Sequence, residues 1–270
     1  MNKLLLITTL FVGTFVFQLS YCQDNSACMQ DLSIFAEYVK VKNYDAAIEP
    51  WIKVRENCPD LNAAIYTYGE RIIKNNIKNG NADLVESSKK ELIKLYDEWI
   101  QYFPKNKNKS VIGDVIGKKA QALFDYKMAD LKKIYSTFDE AFTKDATSFT
   151  NPKFLYNYFK TLYDLYKSGD DQVSMEMLIN KYEEVSEKFE LETVALAKKL
   201  DVILKKEDDG KPLTSREQRR KRIYNINSKA IGTYLSNLDA IIAKEATCEN
   251  LIPLYKRNFG EFKEDSVWLK

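Results

Sequence analysis

Apolar side chains recur at steps of three and four residues along most of the chain, and this spacing predicts amphipathic helices. The strongest run lies in residues 28–60. Its apolar, small and helix-ending positions are Ile34, Tyr38, Tyr44, Ala47, Trp51, Val54 and Pro59. The run predicts two helices that pack against each other, with Tyr38 and Trp51 filling the space between them and Pro59 ending the second helix.

The spacing of these seven positions matches the tetratricopeptide repeat, a pair of helices that stacks on further pairs. Ala47 takes the small position that lets the two helices approach closely. Two residues depart from the motif. Phe35 stands where the motif has a small side chain, and Pro50 interrupts the second helix and predicts a kink.

Three further units follow at residues 61–105, 109–146 and 151–189. In the first of these, Tyr68-Gly69 fits the motif and Asn81 is a predicted N-cap. In the last, Asn151-Pro152 has the sequence of an N-cap and a first helical residue. Together with residues 28–60, these units predict an all-α, tetratricopeptide-like solenoid within residues 23–189.

The pattern changes in residues 190–270, where longer helices are expected. One long helix is predicted over residues 185–206, followed by a turn at Gly210. Thr214 and Glu217 then form a capping box for another long helix. We expect the two helices to form an antiparallel hairpin, followed by the start of further helices.

The first 22 residues have the features of a secretory signal peptide. Lys3 supplies the positive end, residues 4–17 are largely apolar, and cleavage is expected before Gln23. The alternative is a lipoprotein signal with Cys22 as the lipid-bearing residue, against which the large Tyr21 argues. The sequence therefore predicts export to the periplasm.

Composition narrows the possible functions. The chain has no histidine, which removes the commonest general base and most zinc sites. It also lacks phosphate-binding and nucleophile-elbow motifs. The net charge of +2 gives no global field that would favour nucleic acid or a membrane. We therefore expect a non-enzymatic protein without a cofactor or metal, and a carboxylate pair in a helical cleft is the enzymatic alternative.

Three cysteines follow the predicted cleavage site. Cys28 opens the first helix of the run at residues 28–60, and Cys58 closes the second. Because antiparallel packing brings these helix ends together, an exported protein is expected to form a Cys28–Cys58 disulfide. Cys248 is left without a partner.

The expected function is protein binding, in a groove lined by the first helix of each repeat. The candidate groove residues are Lys40, Tyr66, Glu70, Lys74, Lys119, Tyr126, Lys127, Asn157, Lys160, Asp164 and Lys167. Because lysine recurs in all four units, the groove would suit an acidic or carboxylate-bearing peptide. The alternative is that several of these lysines lie in last helical turns and complement the helix dipole.

A second basic feature follows the turn of the predicted hairpin. It consists of Arg216, Arg219, Arg220, Lys221 and Arg222. These side chains suit a phosphate or a lipid headgroup. The alternative is a solvated helix end whose charge is partly offset by the three acids at residues 207–209.

Several segments resemble a family of exported tetratricopeptide proteins of the Bacteroidota. They are LSIFAEY (32–38), KNYDAA (42–47), ENCP (56–59), IYTYGER (65–71) and NLIPLY (250–255). The resemblance implies a periplasmic location, protein binding and further repeats beyond Lys270. We therefore expect a scaffold or adaptor of the bacterial cell envelope, with a holdase-type chaperone or a carboxylate-based hydrolase as alternatives.

Overall fold

The computed structural model of the protein describes residues 26–249, 251 and 252, and this part of the chain has the predicted all-α fold. The predicted signal peptide, the alternative lipid site at Cys22 and the segment after Ile252 lie outside the described residues. None of the described helices has the length and apolar character needed to cross a membrane.

Helix α1 covers residues 26–40, and a two-strand ribbon lies between the fourth and fifth helices. The other elements are α2 (Tyr44–Asn57), α3 (Ala64–Asn79), α4 (Ala82–Tyr102), β1 (Lys105–Asn106), β2 (Lys109–Ser110), α5 (Ile112–Asp125), α6 (Leu131–Asp145), α7 (Pro152–Lys167), α8 (Met175–Asp208) and α9 (Ser215–Glu245). The chain divides into two compact units: unit 1 ends at Val115 and unit 2 begins at Ile116.

In unit 1, helix α1 packs with a different face from the one predicted. Phe35 and Val39 are buried, whereas Ile34 and Tyr38 are more than a third exposed. The buried face is therefore shifted by one residue from the repeat motif. Cys28 lies on this same face, seven residues before Phe35, and its predicted disulfide with Cys58 is present, with the two Cα atoms 6.3 Å apart. The cross-link holds α1 in this rotation.

Close packing between α2 and α3 is centred on Trp51. Its indole N–H donates to the carbonyl oxygen of Ile65 at 2.8 Å. A Cβ atom on Gly69 would lie 2.7 Å from the indole nitrogen, so only glycine allows this approach. Helix α2 continues through Pro50. Helix α4 begins as predicted, because the side chain of Asn81 accepts a hydrogen bond from the Leu84 N–H at 2.9 Å.

In unit 2, the helix starts also follow the sequence. Asn151 caps α7 and Pro152 is its first residue. An aromatic cluster fills the space between α6 and α7, where the rings of Phe138, Phe149 and Tyr158 are in mutual contact. This cluster supplies the core against which α8 then packs.

The division predicted between residues 189 and 190 is wrong. It falls inside α8, an uninterrupted helix of 34 residues. No glycine, proline or capping residue breaks the sequence at that point, so the second helix of the fourth predicted repeat and the first arm of the hairpin are one helix. The hairpin itself is confirmed. Gly210 adopts a positive φ of 70° in the turn, and Thr214 with Glu217 forms the capping box of α9.

The disulfide makes a testable contribution to stability. The double variant Cys28→Ser/Cys58→Ser should lower the free energy of unfolding by about 3–4 kcal/mol, because the bond closes a loop with a sequence separation of 30 residues. Urea unfolding followed by tryptophan fluorescence would measure the change. Cys248→Ser is the matched control, since Cys248 is exposed and unpaired. Equal midpoints for the double variant and the wild type would contradict the prediction.

The capping box of α9 makes a second prediction. Hydrogen bonds from Lys206 and Thr214 lower the pKa of Glu217 to about 2. The stability linked to this carboxylate is therefore fully present above the ordinary pKa of glutamate and is lost as the pH falls towards about 2. Lys206→Met should raise the pKa of Glu217, as an NMR titration would show. In the control Lys205→Met the pKa should not move, because Lys205 pairs with Asp201.

Candidate functional site

Two of the eleven predicted groove residues lie in the core and do not line a groove. Tyr66 is fully buried and its hydroxyl donates to the carbonyl oxygen of Pro59 at 3.0 Å. Asn157 is 5% exposed and its amide donates to Gln121 at 2.8 Å. These two assignments were wrong because an aromatic or amide side chain on a first helix can equally face the neighbouring helix.

Six of the eight charged groove candidates form ion pairs within their own units. Lys40 pairs with Glu37, and Lys74 pairs with Glu70. In unit 2, Lys160 pairs with Asp164, and Lys167 pairs with the buried Glu245 of α9. Each pair lowers the charge that the lysine would offer to an acidic peptide. Of the eleven candidates, the four up to Lys74 belong to unit 1 and the other seven to unit 2.

The helix-end explanation for the lysines holds only in part. Lys40 and Lys167 are the last residues of their helices, but Lys74 lies five residues before the end of α3. Lys119 lies within α5 and Tyr126 just after it, and both are half-buried. Lys127 also follows α5, with a positive φ of 53°. It lines an apolar opening of about 720 Å³ together with Phe124, Leu131 and Leu165.

A cavity of about 470 Å³ between α2 and α4 is the best-built candidate site. We call it the Arg55 cavity. It is lined by Trp51, Ile52, Arg55, Glu56, Pro59, Glu91, Lys94, Glu98, Gln101 and Tyr102. The lining positions on each helix are either adjacent or three to four residues apart and therefore share one face. Helices α2 and α4 are the second helices of their predicted repeats. The Arg55 cavity therefore lies on second helices, whereas the groove predicted from the sequence lies on first helices.

The guanidinium of Arg55 is the centre of the cavity. The side chain is only 9% exposed, and it lies over the Trp51 ring with 5.1 Å from Cζ to the ring centroid. Its Nε donates to Glu98 at 2.7 Å and its Nη1 donates to Glu91. Burial opposes the charge, but the two glutamates outweigh it and raise the pKa of Arg55. The guanidinium therefore stays charged.

One donor of this guanidinium is left over. The Nη2 atom of Arg55 is buried and has no hydrogen-bond partner among the described residues. Buried donors are rarely left unpaired, because the lost hydration costs about 1–3 kcal/mol. This nitrogen has almost no accessible surface, so a ligand in the cavity does not reach it in this side-chain conformation.

The walls of the cavity favour a cationic or neutral ligand over an anion. Glu56, Glu91 and Glu98 outnumber the two cations Arg55 and Lys94, which gives the lining one net negative charge. Trp51, Ile52, Pro59 and Tyr102 add apolar and aromatic surface. Within the described residues, no group of three His, Cys, Asp or Glu side chains is placed to hold a metal ion.

No family model, curated protein or solved structure matches the chain. The chemistry of the site is therefore argued from its own residues. Sequence reasoning missed Arg55, although one signal for it was present. Arg55 follows Trp51 by four residues, and this spacing places a cation next to the indole on the same helix face.

Removing the guanidinium should destabilise unit 1. Arg55→Met would leave Glu91 and Glu98 without their shared partner and lower the free energy of unfolding by about 2–3 kcal/mol. Adding Glu91→Gln and Glu98→Gln to this variant should recover most of the loss, because the stranded charges are removed. Urea unfolding measures both effects. The control is Lys53→Met on the same helix, whose exposed pair with Glu49 should have little effect on stability. A triple variant less stable than Arg55→Met would contradict this account.

Proposed function

We propose that this chain is a non-enzymatic scaffold that binds a partner protein by taking a peptide segment into the Arg55 cavity. The observation that carries the proposal is the concave site between α2 and α4, which is lined by carboxylates and aromatic rings around the guanidinium of Arg55. A peptide segment can offer a cationic side chain to the carboxylates and an apolar side chain to the rings.

The charge of the cavity adds selectivity to this binding. A lysine or arginine on the peptide would face Glu56 and the outer oxygen of Glu91, both of which are accessible to solvent. An apolar neighbour would lie against Ile52 and Tyr102. The preferred peptide is therefore basic and partly apolar, the opposite charge to the one expected from the lysine pattern.

The enzymatic alternative requires two carboxyl groups within a concave site, and Glu91 and Glu98 are placed in that way. Both accept hydrogen bonds from the same guanidinium, which does not release its proton at ordinary pH. A general acid would instead need a carboxyl group that is held protonated. This arrangement favours binding over catalysis.

The holdase alternative would use a different surface, the apolar opening near Lys127 in unit 2. A holdase needs contiguous apolar surface and little selectivity. The Arg55 cavity combines ion pairs with apolar walls, which suits a specific segment better than an unfolded chain.

We place this scaffold in the bacterial cell envelope, as a periplasmic member of the exported tetratricopeptide proteins. The Cys28–Cys58 disulfide is compatible with an exported, oxidising compartment. The packing of α3 against α4 and of α2 against α3, with glycine at the α2–α3 contact, supports the repeat assignment.

Selection from a library of random peptides displayed on phage would test the proposal. We expect enriched peptides with lysine or arginine next to an apolar residue. Their affinity should fall about 10-fold in Glu56→Lys, because the net charge of the lining then rises by two. Glu49→Lys is the matched control, with the same change on the same helix at a residue outside the cavity. Acidic peptides, no enrichment, or equal losses in the two variants would refute this function.

A further inference from the structure

The end of the hairpin in unit 2 has a strong positive charge, although the net charge of the whole chain is small. We call residues 198–229 the distal hairpin; they comprise the end of α8, the turn and the start of α9. This segment has eleven Lys and Arg residues against five Asp and Glu residues, a net charge of +6, while the whole chain has +2. The rest of the chain is therefore acidic on balance, and the basic charge is concentrated in one element.

The acids of the distal hairpin do not neutralise its arginines. Four of them form ion pairs with lysines: Asp201 with Lys205, Glu207 with Lys221, Asp209 with Lys211 and Glu217 with Lys206. Seven cations then have no ion pair with any described residue, namely Lys198, Lys199, Arg216, Arg219, Arg220, Arg222 and Lys229. The sequence suggested that the acids of the turn partly offset the basic cluster. These ion pairs involve lysines, so the charge of the arginines stays available.

Part of this charge lies on one face of α9. Arg219, Arg222, Ile226 and Lys229 are separated by three or four residues, so their side chains follow one another along the helix. They extend over roughly 15 Å. Ile231 and Leu238 are buried and mark the opposite, inner side of the helix. Arg222, Ile226 and Lys229 also line a shallow groove of about 530 Å³.

Exposed apolar side chains lie among these cations. Ile226 is 55% exposed and Ile223 is 42% exposed on α9. On α8, Val202 is 69% exposed. A helix face that combines arginine and lysine with accessible aliphatic side chains matches the surface of a bilayer, where phosphates lie next to the acyl region. A closed anion pocket would instead gather the cations around one point.

We propose that the distal hairpin binds the surface of membranes that contain anionic phospholipids. Arg219, Arg222 and Lys229 contact lipid phosphates, and the side chain of Ile226 enters the interface between headgroups and acyl chains. Each cation near such a surface adds about 1 kcal/mol to binding, which corresponds to about five-fold in the partition coefficient. This attachment is peripheral and does not depend on the peptide site proposed for unit 1.

Co-sedimentation with vesicles tests the proposal. The protein would be used without residues 1–22, because the apolar signal segment would itself bind lipid. We expect it to sediment with vesicles of phosphatidylcholine mixed with phosphatidylglycerol, and to stay in solution with phosphatidylcholine alone. The variant Arg219→Glu/Arg222→Glu/Lys229→Glu should lower the partition coefficient on the order of 100-fold or more. The corresponding triple glutamine variant should lower the partition coefficient less than the glutamate variant does.

The control variant Lys78→Glu/Lys90→Glu/Lys109→Glu makes the same change in net charge at exposed lysines of unit 1. Its partition coefficient should fall no more than a few-fold, as expected for a long-range electrostatic effect alone. Circular dichroism would confirm that the variants keep their helices. Failure of the wild type to bind anionic vesicles, or equal losses in the reversal and control variants, would overturn the proposal.

A last experiment distinguishes binding to a lipid surface from binding at a discrete anion site. Sodium phosphate and sodium chloride at matched ionic strength should weaken vesicle binding equally, because a surface field is screened by ionic strength alone. Stronger displacement by phosphate would indicate a discrete phosphate site and would also overturn the membrane assignment.

Discussion

The contact between Gly69 and the indole ring of Trp51 is the constraint on which unit 1 depends. A side chain at position 69 would overlap the ring, so the close approach of α2 and α3 exists only because this residue is glycine. The indole N–H then reaches the Ile65 carbonyl and fixes the ring. Arg55 follows Trp51 by one helical turn, so the same packing also determines where the guanidinium lies and how little water reaches it.

Burial makes the Arg55 cluster costly unless its partners are well placed. Two glutamates of α4 satisfy the guanidinium at Nε and Nη1, and the Trp51 ring contacts its face. Replacing such a buried ion cluster with well-packed apolar side chains is often neutral or stabilising, so stability alone does not explain its presence.

Local chemistry was readable from the sequence, and among the long-range contacts the Cys28–Cys58 disulfide was predicted but the Arg55 cluster was not. Asn81, Asn151 and Thr214 cap helices where predicted, because a cap depends only on residues two or three positions away. The face of α1 was misplaced by one residue, since Ile34 and Phe35 are both apolar and periodicity alone does not choose between them. The Arg55 cluster joins residues 36 and 43 positions apart, and no local pattern contains that information.

The net charge of the chain is a second case in which the sequence as a whole did not show a local feature. The total of +2 gave no global field that would favour a membrane, but this total is the sum of an acidic remainder and a distal hairpin at +6. Fields near a surface depend on charges within about 10 Å, so a local excess acts on a partner even when distant charges cancel it in the sum. The two sites that we propose therefore differ in the sign of their charge. The cavity of unit 1 suits a basic peptide and the distal hairpin suits an anionic surface, so one ligand would not suit both.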